Sequence, residues 1–149
     1  MTDFFIQLID SRLPADWWQT VMGRLLRVGD PVELRLWPEE SAELRLAASL
    51  GPVTAEGWER VARGTLTREL RTALLAAPPA DGSGYPKMTR FFTIHAKNSR
   101  CDLWSQHYGT ELAVSLRDPE DAAFLRQVLA RYPEGFSVSE GEGLFPSVQ

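Results

Sequence analysis

The sequence predicts an α+β fold in which a mixed or antiparallel sheet has helices packed mainly on one face. Segments in which apolar and polar residues alternate, as in strands, stand beside segments with apolar residues at helical spacing. Their order is β-α-β-β-α-α-β-β-β-α, without the regular βαβ rhythm of a doubly wound nucleotide-binding sheet. A chain of 149 residues has the length of one domain. We therefore expect a single α+β domain over residues 1–136 and an acidic, flexible C-terminal tail over residues 137–149.

The first strand and the first helix are predicted from apolar residues near the start of the chain. Residues 3–9 are mostly apolar and compatible with a strand. Pro14 suits a first helical turn, and from Trp17 to Leu26 apolar residues recur on one helical face. The segment Gly-Asp-Pro at residues 29–31 is expected to end this helix.

The tetrapeptide Glu-Leu-Arg-Leu occurs twice, at residues 33–36 and 43–46. Leucine alternates with charged residues in both copies, and residues 38–41 between them favour a turn. The two copies therefore predict a β-hairpin with one face in water.

Two helices are predicted next. Thr54 is a suitable N-cap, and Trp58, Val61 and Ala62 share one helical face after it. Apolar residues at helical spacing then predict a helix over residues 66–77, and two prolines end it. The segment over residues 78–86 is rich in proline and glycine, and we expect it to be a mobile loop.

Three strands and a helix complete the predicted domain. Strands are expected over residues 88–96, 100–106 and 110–116. The last helix has the clearest local signal, because Asp118 can cap it and Pro119 suits its first turn.

Composition excludes several classes of protein. The formal net charge of −4 disfavours a general nucleic-acid binder, whose affinity comes mostly from neutralising phosphates. A single cysteine cannot form an internal disulfide. The start of the chain does not resemble a signal peptide, and no apolar run approaches the roughly 20 residues of a membrane span. These features predict a cytoplasmic protein with no membrane association.

Residues 82–101 contain four basic side chains and no acidic one, and this segment is the predicted location of a specialised surface. If Asn98 and Ser99 form a two-residue hairpin turn, His95 pairs directly with Asp102. Alternation then predicts a core face with Phe92, Ile94, Ala96, Cys101 and Leu103. The opposite, polar face carries Phe91, Thr93, His95, Lys97, Arg100, Asp102 and Trp104.

A carboxylate beside an imidazole fixes its tautomer, which is half of a general acid–base arrangement. His95 and Asp102 are therefore the candidate catalytic residues, although the sequence favours an ordinary surface His–Asp pair, and a binding hot spot is the third interpretation. No motif supplies a nucleophile, a phosphate-binding loop or a dinucleotide fingerprint, so no cofactor is predicted. Because Cys101 and His95 are expected on opposite sides of the ribbon, no metal site is predicted either.

Two classes of function stay open, and the sequence favours a non-catalytic protein over an enzyme. The first is an inhibitor, immunity-type or regulatory protein that binds a protein partner through a basic–aromatic sheet face or through its acidic surface. Its binding residues would be Phe91, His95, Lys97, Arg100, Asp102 and Trp104. The alternative is a small enzyme or binder of a small anionic ligand that uses the His95/Asp102 pair with Arg100 and Trp104. Nucleic acid as a partner is disfavoured by the negative charge of the rest of the chain.

Overall fold

The computed structural model describes residues 1–79 and 84–145, which form one eight-stranded antiparallel sheet and four helices. The strands are β1 (Thr2–Leu8), β2 (Pro31–Leu36), β3 (Val53–Glu56), β4 (Glu59–Thr65), β5 (Thr93–Lys97), β6 (Cys101–Gln106), β7 (Glu111–Leu116) and β8 (Phe136–Gly141). The helices are α1 (Asp16–Leu25), α2 (Ser41–Ala48), α3 (Arg68–Leu75) and α4 (Pro119–Ala130). Across the sheet the strands follow the order β3-β4-β2-β5-β6-β7-β1-β8. None of the described helices is long and apolar enough to cross a membrane.

The predicted fold class is confirmed, and one face of the sheet carries the core. On this face, cross-strand neighbours are apolar and buried across the adjacent strands β1, β7, β6, β5 and β2. One such row consists of Phe4, Val114, Leu103, Ala96 and Val32. The buried apolar residues of all four helices belong to the same hydrophobic cluster. Alternation along each strand sends the intervening residues to the other face of the sheet.

Two adjacent tryptophans of α1 attach the helical layer to the sheet. The Trp17 indole donates to Sδ of Met88 at 3.1 Å, and the Trp18 indole donates to Oγ of Ser105 on β6 at 3.1 Å. Both rings are at most 1% exposed, so these contacts satisfy donors that water cannot reach. The prediction of an amphipathic first helix with apolar residues from Trp17 to Leu26 on one face is confirmed.

The N-terminal half contains two errors of prediction. Residues 43–46 lie in α2 and do not form a strand, so the hairpin between the two Glu-Leu-Arg-Leu copies does not exist. Residues 54–62 form the hairpin of β3 and β4 and do not form a helix. Gly57 has φ 61°, and a two-residue turn of Gly57 and Trp58 joins the strands, which is the arrangement that glycine favours in tight hairpins.

The C-terminal half differs from expectation at two places. Residues 88–92 bend before β5 begins at Thr93, so the strand predicted over residues 88–96 is shorter. The expected tail over residues 137–149 contributes its first part to the sheet, because β8 pairs with β1 along its whole length. The last part of that tail, residues 146–149, lies outside the described residues, as do residues 80–83 of the expected mobile loop.

Two glycines allow the chain that follows α2 to cross β4 in backbone contact. A Cβ at Gly64 would lie 2.1 Å from the carbonyl oxygen of Leu50, and a Cβ at Gly51 would lie 2.1 Å from that of Arg63. Neither carbonyl belongs to a flexible side chain, so the contact cannot be relieved by a rotamer change. The close contact between β4 and the chain after α2 therefore requires glycine, which has no Cβ, at both positions.

We predict opposite effects for two glycine-to-alanine substitutions. Gly64→Ala should destabilise the protein by about 3 kcal/mol, because overpacking against a backbone oxygen forces the crossing apart. Gly23→Ala should stabilise it by about 0.5–1 kcal/mol, because Gly23 lies in α1 and its added Cβ would meet nothing within 4 Å beyond the helix's own backbone. Urea unfolding followed by circular dichroism measures both, and equal midpoints for the two variants would contradict the contact described.

Candidate functional site

The face of the sheet opposite the helices, here called the open face, carries the predicted site residues. One row of cross-strand neighbours runs across it through β1, β7, β6, β5, β2 and β4: Phe5, Ala113, Trp104, His95, Glu33 and Arg63. Phe5, Ala113 and Trp104 are each only partly buried. The row thus joins a partly exposed apolar end to a charged end.

The turn between β5 and β6 differs from the predicted one. Oδ1 of Asn98 accepts from the backbone N–H groups of Arg100 and Cys101, at 2.8 and 3.0 Å, and the backbone N–H of Asn98 donates to the Cys101 carbonyl at 3.0 Å. This side-chain-supported turn is longer than the expected turn of Asn98 and Ser99 and avoids the positive φ that such a turn demands. His95 therefore pairs with Trp104, and Asp102 pairs with Lys97. The register shifts by two residues, which leaves every strand residue on the face expected for it.

His95 and Asp102 nevertheless meet, as diagonal neighbours. Nε2 of His95 lies 2.9 Å from Oδ1 of Asp102, and the imidazole stacks on Trp104 with ring centroids 3.7 Å apart and planes 10° apart. When Nε2 carries the proton it donates to the carboxylate and leaves Nδ1 as an acceptor. The pair could orient and hold a proton at Nδ1, while Trp104 covers one face of the imidazole.

The described structure does not place a nucleophile on this pair. Ser105 points to the helical side, where its hydroxyl accepts from Trp18, and Cys101 is 3% exposed in the core. Burial raises the pKa of the Cys101 thiol, and the charge of Asp30 acts in the same direction. The prediction that Cys101 points into the core is confirmed, and within residues 1–79 and 84–145 no group of three or more metal-binding side chains is assembled.

Two of the predicted binding residues are not on the open face. Phe91 is fully buried in the main core, because the bend over residues 88–92 breaks the alternation that would have turned it outward. The Arg100 guanidinium lies at the end of α1, where it donates to the Leu25 carbonyl and lies 3.0 Å from the Asp30 carboxylate. The predicted cluster is therefore reduced to His95, Asp102, Trp104 and Lys97.

The basic character expected for this surface is also absent. Arg90 pairs with Glu43, Arg100 pairs with Asp30, and Lys87 lies over the ring of Tyr108. Acidic side chains outnumber basic ones on the open face, where the registers place Asp3, Glu33, Glu56, Glu59, Asp102 and Glu111 against Arg35, Arg63 and Lys97. The open face is aromatic and acidic on balance.

A network of ion pairs occupies its charged end. Glu33 accepts from Arg35 at 2.9 Å and from Arg63 at 2.6 Å, and both arginines also pair with Glu56. Burial acts to raise the pKa of Glu33, but the hydrogen bonds and charges of Arg35 and Arg63 outweigh it, so the pKa lies below its usual range. The network holds β2 and β4 in register on the exposed side of the sheet.

Beside this network lies a shallow groove of about 500 Å³, here called the open-face groove. It is lined by Pro31, Val32, Glu33, Arg63, Gly64, Thr65, His95 and Lys97. Lys97 is exposed and makes no ion pair with the described residues, which leaves a cation at the rim of the groove.

The sequence does not predict two aromatic side chains at the surface, one partly and one almost fully exposed. Phe5 is predicted only as a strand residue, and the alternation that buries Phe4 and Ile6 turns it to the open face. The sequence predicts Trp58 on a helix face, but it is 87% exposed at the tip of the β3–β4 hairpin. The glycine at residue 57, flanked by alternating residues, was the available signal for a two-residue turn.

Comparison with known proteins does not relate the chain to any of them, since no protein-family model, curated protein or solved structure matches it.

We predict that Glu33→Gln lowers the free energy of unfolding by about 0.5–1 kcal/mol at neutral pH, a small value because water reaches both arginines, of which Arg63 is exposed and Arg35 partly exposed. A carboxylate with a lowered pKa stabilises the fold above its unfolded-state pKa of about 4.3, and this stabilisation is lost as the pH falls through the lowered value. The difference between the variant and wild type should accordingly vanish at acid pH.

Urea unfolding at a series of pH values measures this dependence. Glu39→Gln is the matched control, because Glu39 is exposed and its side chain has no partner among the described residues. A Glu33→Gln variant that tracks this control at every pH would show that the network adds nothing to stability.

Proposed function

We propose that the protein is a non-catalytic interaction module that binds a protein partner with the open face of its sheet. The observation that carries the proposal is the partly exposed row of Phe5, Ala113 and Trp104 on a face that no described helix covers. Trp104 is backed by the stacked His95, so the partner would meet a rigid aromatic surface. Rigid tryptophan side chains are the type of residue that dominates interface energies.

Charge selects the kind of partner. Acidic residues flank the aromatic row, and the whole chain carries a net charge of −4. An acidic surface speeds association with a basic one and rejects other acidic surfaces. The expected partner therefore presents a basic surface with an apolar centre, as a basic active site or nucleic-acid-binding site does. An inhibitory or immunity-type role would follow from covering such a site.

A pair of alanine substitutions tests this assignment. Ala113→Arg places a bulky cation between Phe5 and Trp104, whereas Ala123→Arg places the same side chain on the exposed surface of α4. We expect cross-linking in extract of the native host to join wild type and Ala123→Arg to one stoichiometric partner, with a yield that falls as salt rises. Ala113→Arg should lose that partner while its circular dichroism is unchanged.

If wild type, Ala113→Arg and Ala123→Arg all capture the partner equally, the interface does not include the row of Phe5, Ala113 and Trp104. Absence of a stoichiometric partner at low salt would count against the interaction module itself.

A small anionic ligand is the second candidate, and the open-face groove favours it. Lys97, His95 and Arg63 line the groove, which has the volume of a small-molecule site. Arg100, predicted for this role, lies outside the groove.

If the groove binds a small anion, inorganic phosphate titrated into dilute protein should shift the NMR signals of His95 and Lys97 saturably, and Lys97→Glu should abolish the shift. An unsaturable drift equal in both proteins would remove this candidate.

A further inference from the structure

We infer that the outer edge of β8, together with the groove between β8 and the end of α4, binds an extended peptide segment as an additional strand of the sheet. The segment would carry apolar side chains at alternate positions and a basic residue near each end. This inference goes beyond the proposed function and does not rest on it, because this groove, here called the edge groove, lies on the helix side of the sheet and not on the open face.

The first observation is that β8 has an edge available for pairing. Among the described residues, β8 is the outermost strand on its side of the sheet, and β1 is its one strand partner. The other outermost strand, β3, has four residues and follows Pro52, whereas β8 has six residues and contains no proline. Short edge strands and prolines protect a sheet edge from further pairing, so β8 is the less protected of the two edges.

The backbone groups that β8 offers follow from those of β1. Leu8 donates to the Thr110 carbonyl beside β7. Ile9 donates to the Gly135 carbonyl beside β8, so the odd-numbered residues of β1 bond towards β8. They lie opposite the odd-numbered residues of β8 in the register. The even-numbered residues of β8 therefore point their N–H and C=O groups outward: Phe136, Val138 and Glu140.

The second observation is the edge groove, which has a volume of about 300 Å³. Its apolar lining comes from Phe4, Leu129, Tyr132, Phe136 and Val138, and Val138 is 44% exposed. The volume is at the lower limit of a small-molecule site, which suits single side chains better than a whole ligand. A strand added at the outer edge would place every second side chain on the helix side, next to this groove.

The third observation is the charge along the edge. Glu134 precedes β8 and Glu142 follows it, and both are exposed without an ion pair to any described residue. Arg126, the basic residue of the edge groove, is already paired with Glu140. The edge is therefore apolar at its centre and acidic at both ends, which favours a segment with basic ends.

The same charges disfavour a second copy of this chain as the occupant. An antiparallel copy centred on Val138 would place Glu134 of each copy opposite Glu142 of the other, at both ends of the contact. Like charges directly opposite each other on paired strands are destabilising. The edge is thus protected against pairing with itself, whereas a strand with basic ends meets opposite charges.

NMR titration of the isotope-labelled protein with synthetic peptides tests the inference. Three capped peptides of about eight residues, the length of an edge strand, are compared. The first has valine at alternate central positions and arginine at both ends, the second has glutamate in place of arginine, and the third has serine in place of valine. The first should shift the amide signals of β8 saturably, and each of the other two should bind about tenfold more weakly or less.

Substitutions on the edge then identify the surface that the peptide occupies. Val138→Pro removes an outward N–H and leaves the bonds between β8 and β1, because proline is tolerated where an edge strand faces solvent. It should abolish binding of the arginine-ended peptide. Val138→Thr is the matched control, because it retains the N–H and the branched shape, and it should still bind that peptide.

Charge reversal tests the acidic ends. A variant with both Glu134→Lys and Glu142→Lys should prefer the glutamate-ended peptide over the arginine-ended one. Glu39→Gln, on an exposed residue outside β8 and the edge groove, should keep the preference of wild type.

Several outcomes would overturn the inference: no binding of the arginine-ended peptide, equal binding of the arginine- and glutamate-ended peptides, or Val138→Pro that binds as wild type does. Shifts confined to Phe5 and Trp104 would place the peptide on the open face and equally overturn it. Sedimentation velocity without peptide adds a further check, because a dimer that Val138→Pro abolishes would assign the edge to a second copy. Circular dichroism of every variant separates loss of binding from loss of fold.

Discussion

The hydrogen bond between Trp18 and Ser105 is the contact on which the layered arrangement depends. Ser105 lies on β6, near the middle of the sheet, and Trp18 lies in the helix that contacts both α3 and α4. Both groups are fully buried, so loss of either partner would leave a polar group without water. Gly109 lies against the edge of the same indole, where a Cβ would come within 2.8 Å of Nε1. The helical layer is thereby fixed at one position over the strands.

The open face is the consequence of that one-sided packing. Because the buried parts of all four helices share one cluster, the other side of the strands is left to cross-strand pairs, and these are mostly polar. Long arginine side chains provide cover where apolar residues face this side. Arg35, for example, lies between Val61 and Thr93 in the register, and both are buried. The aromatic residues near β6 and β7 have no such cover, and this contrast singles them out as a binding surface.

Local sequence predicted the elements whose signals are self-contained. The cap at Asp118 is present, since its carboxylate accepts from the backbone N–H of Glu120, and α1, β7 and α4 form close to their expected positions. The repeated tetrapeptide shows where local sequence does not determine the element. The same four residue types lie within β2 at positions 33–36 and within α2 at positions 43–46. Four residues cannot distinguish a period of two from a helical period, so contacts made elsewhere in the chain decide between them.

For the candidate site, the sequence predicted which strand residues share the open face but not their exact cross-strand partners. Face assignment depends only on the parity of a register, and a two-residue shift preserved it for His95, Asp102 and Trp104. The positions of Phe91 and Arg100 depended on where the strands end, and turn chemistry at Asn98 and the bend before Thr93 determined those ends. The exposure of Trp58 follows from its hairpin, and the helical spacing of Trp58, Val61 and Ala62 competes in the sequence with the turn signal of the glycine beside it.

The position of β1 between β7 and β8 constrains how the chain acquires its structure during synthesis. Thr2–Leu8 leaves the ribosome well before its partner strands, which begin at Glu111 and Phe136. Nascent β1 therefore waits with both backbone edges unsatisfied and with Phe4 and Ile6 in water until the segments that form β7 and β8 have emerged. Contacts of such long sequence separation slow folding and leave intermediates prone to aggregation. Production of this protein should accordingly be sensitive to translation speed and to the supply of chaperones that shield its first strand.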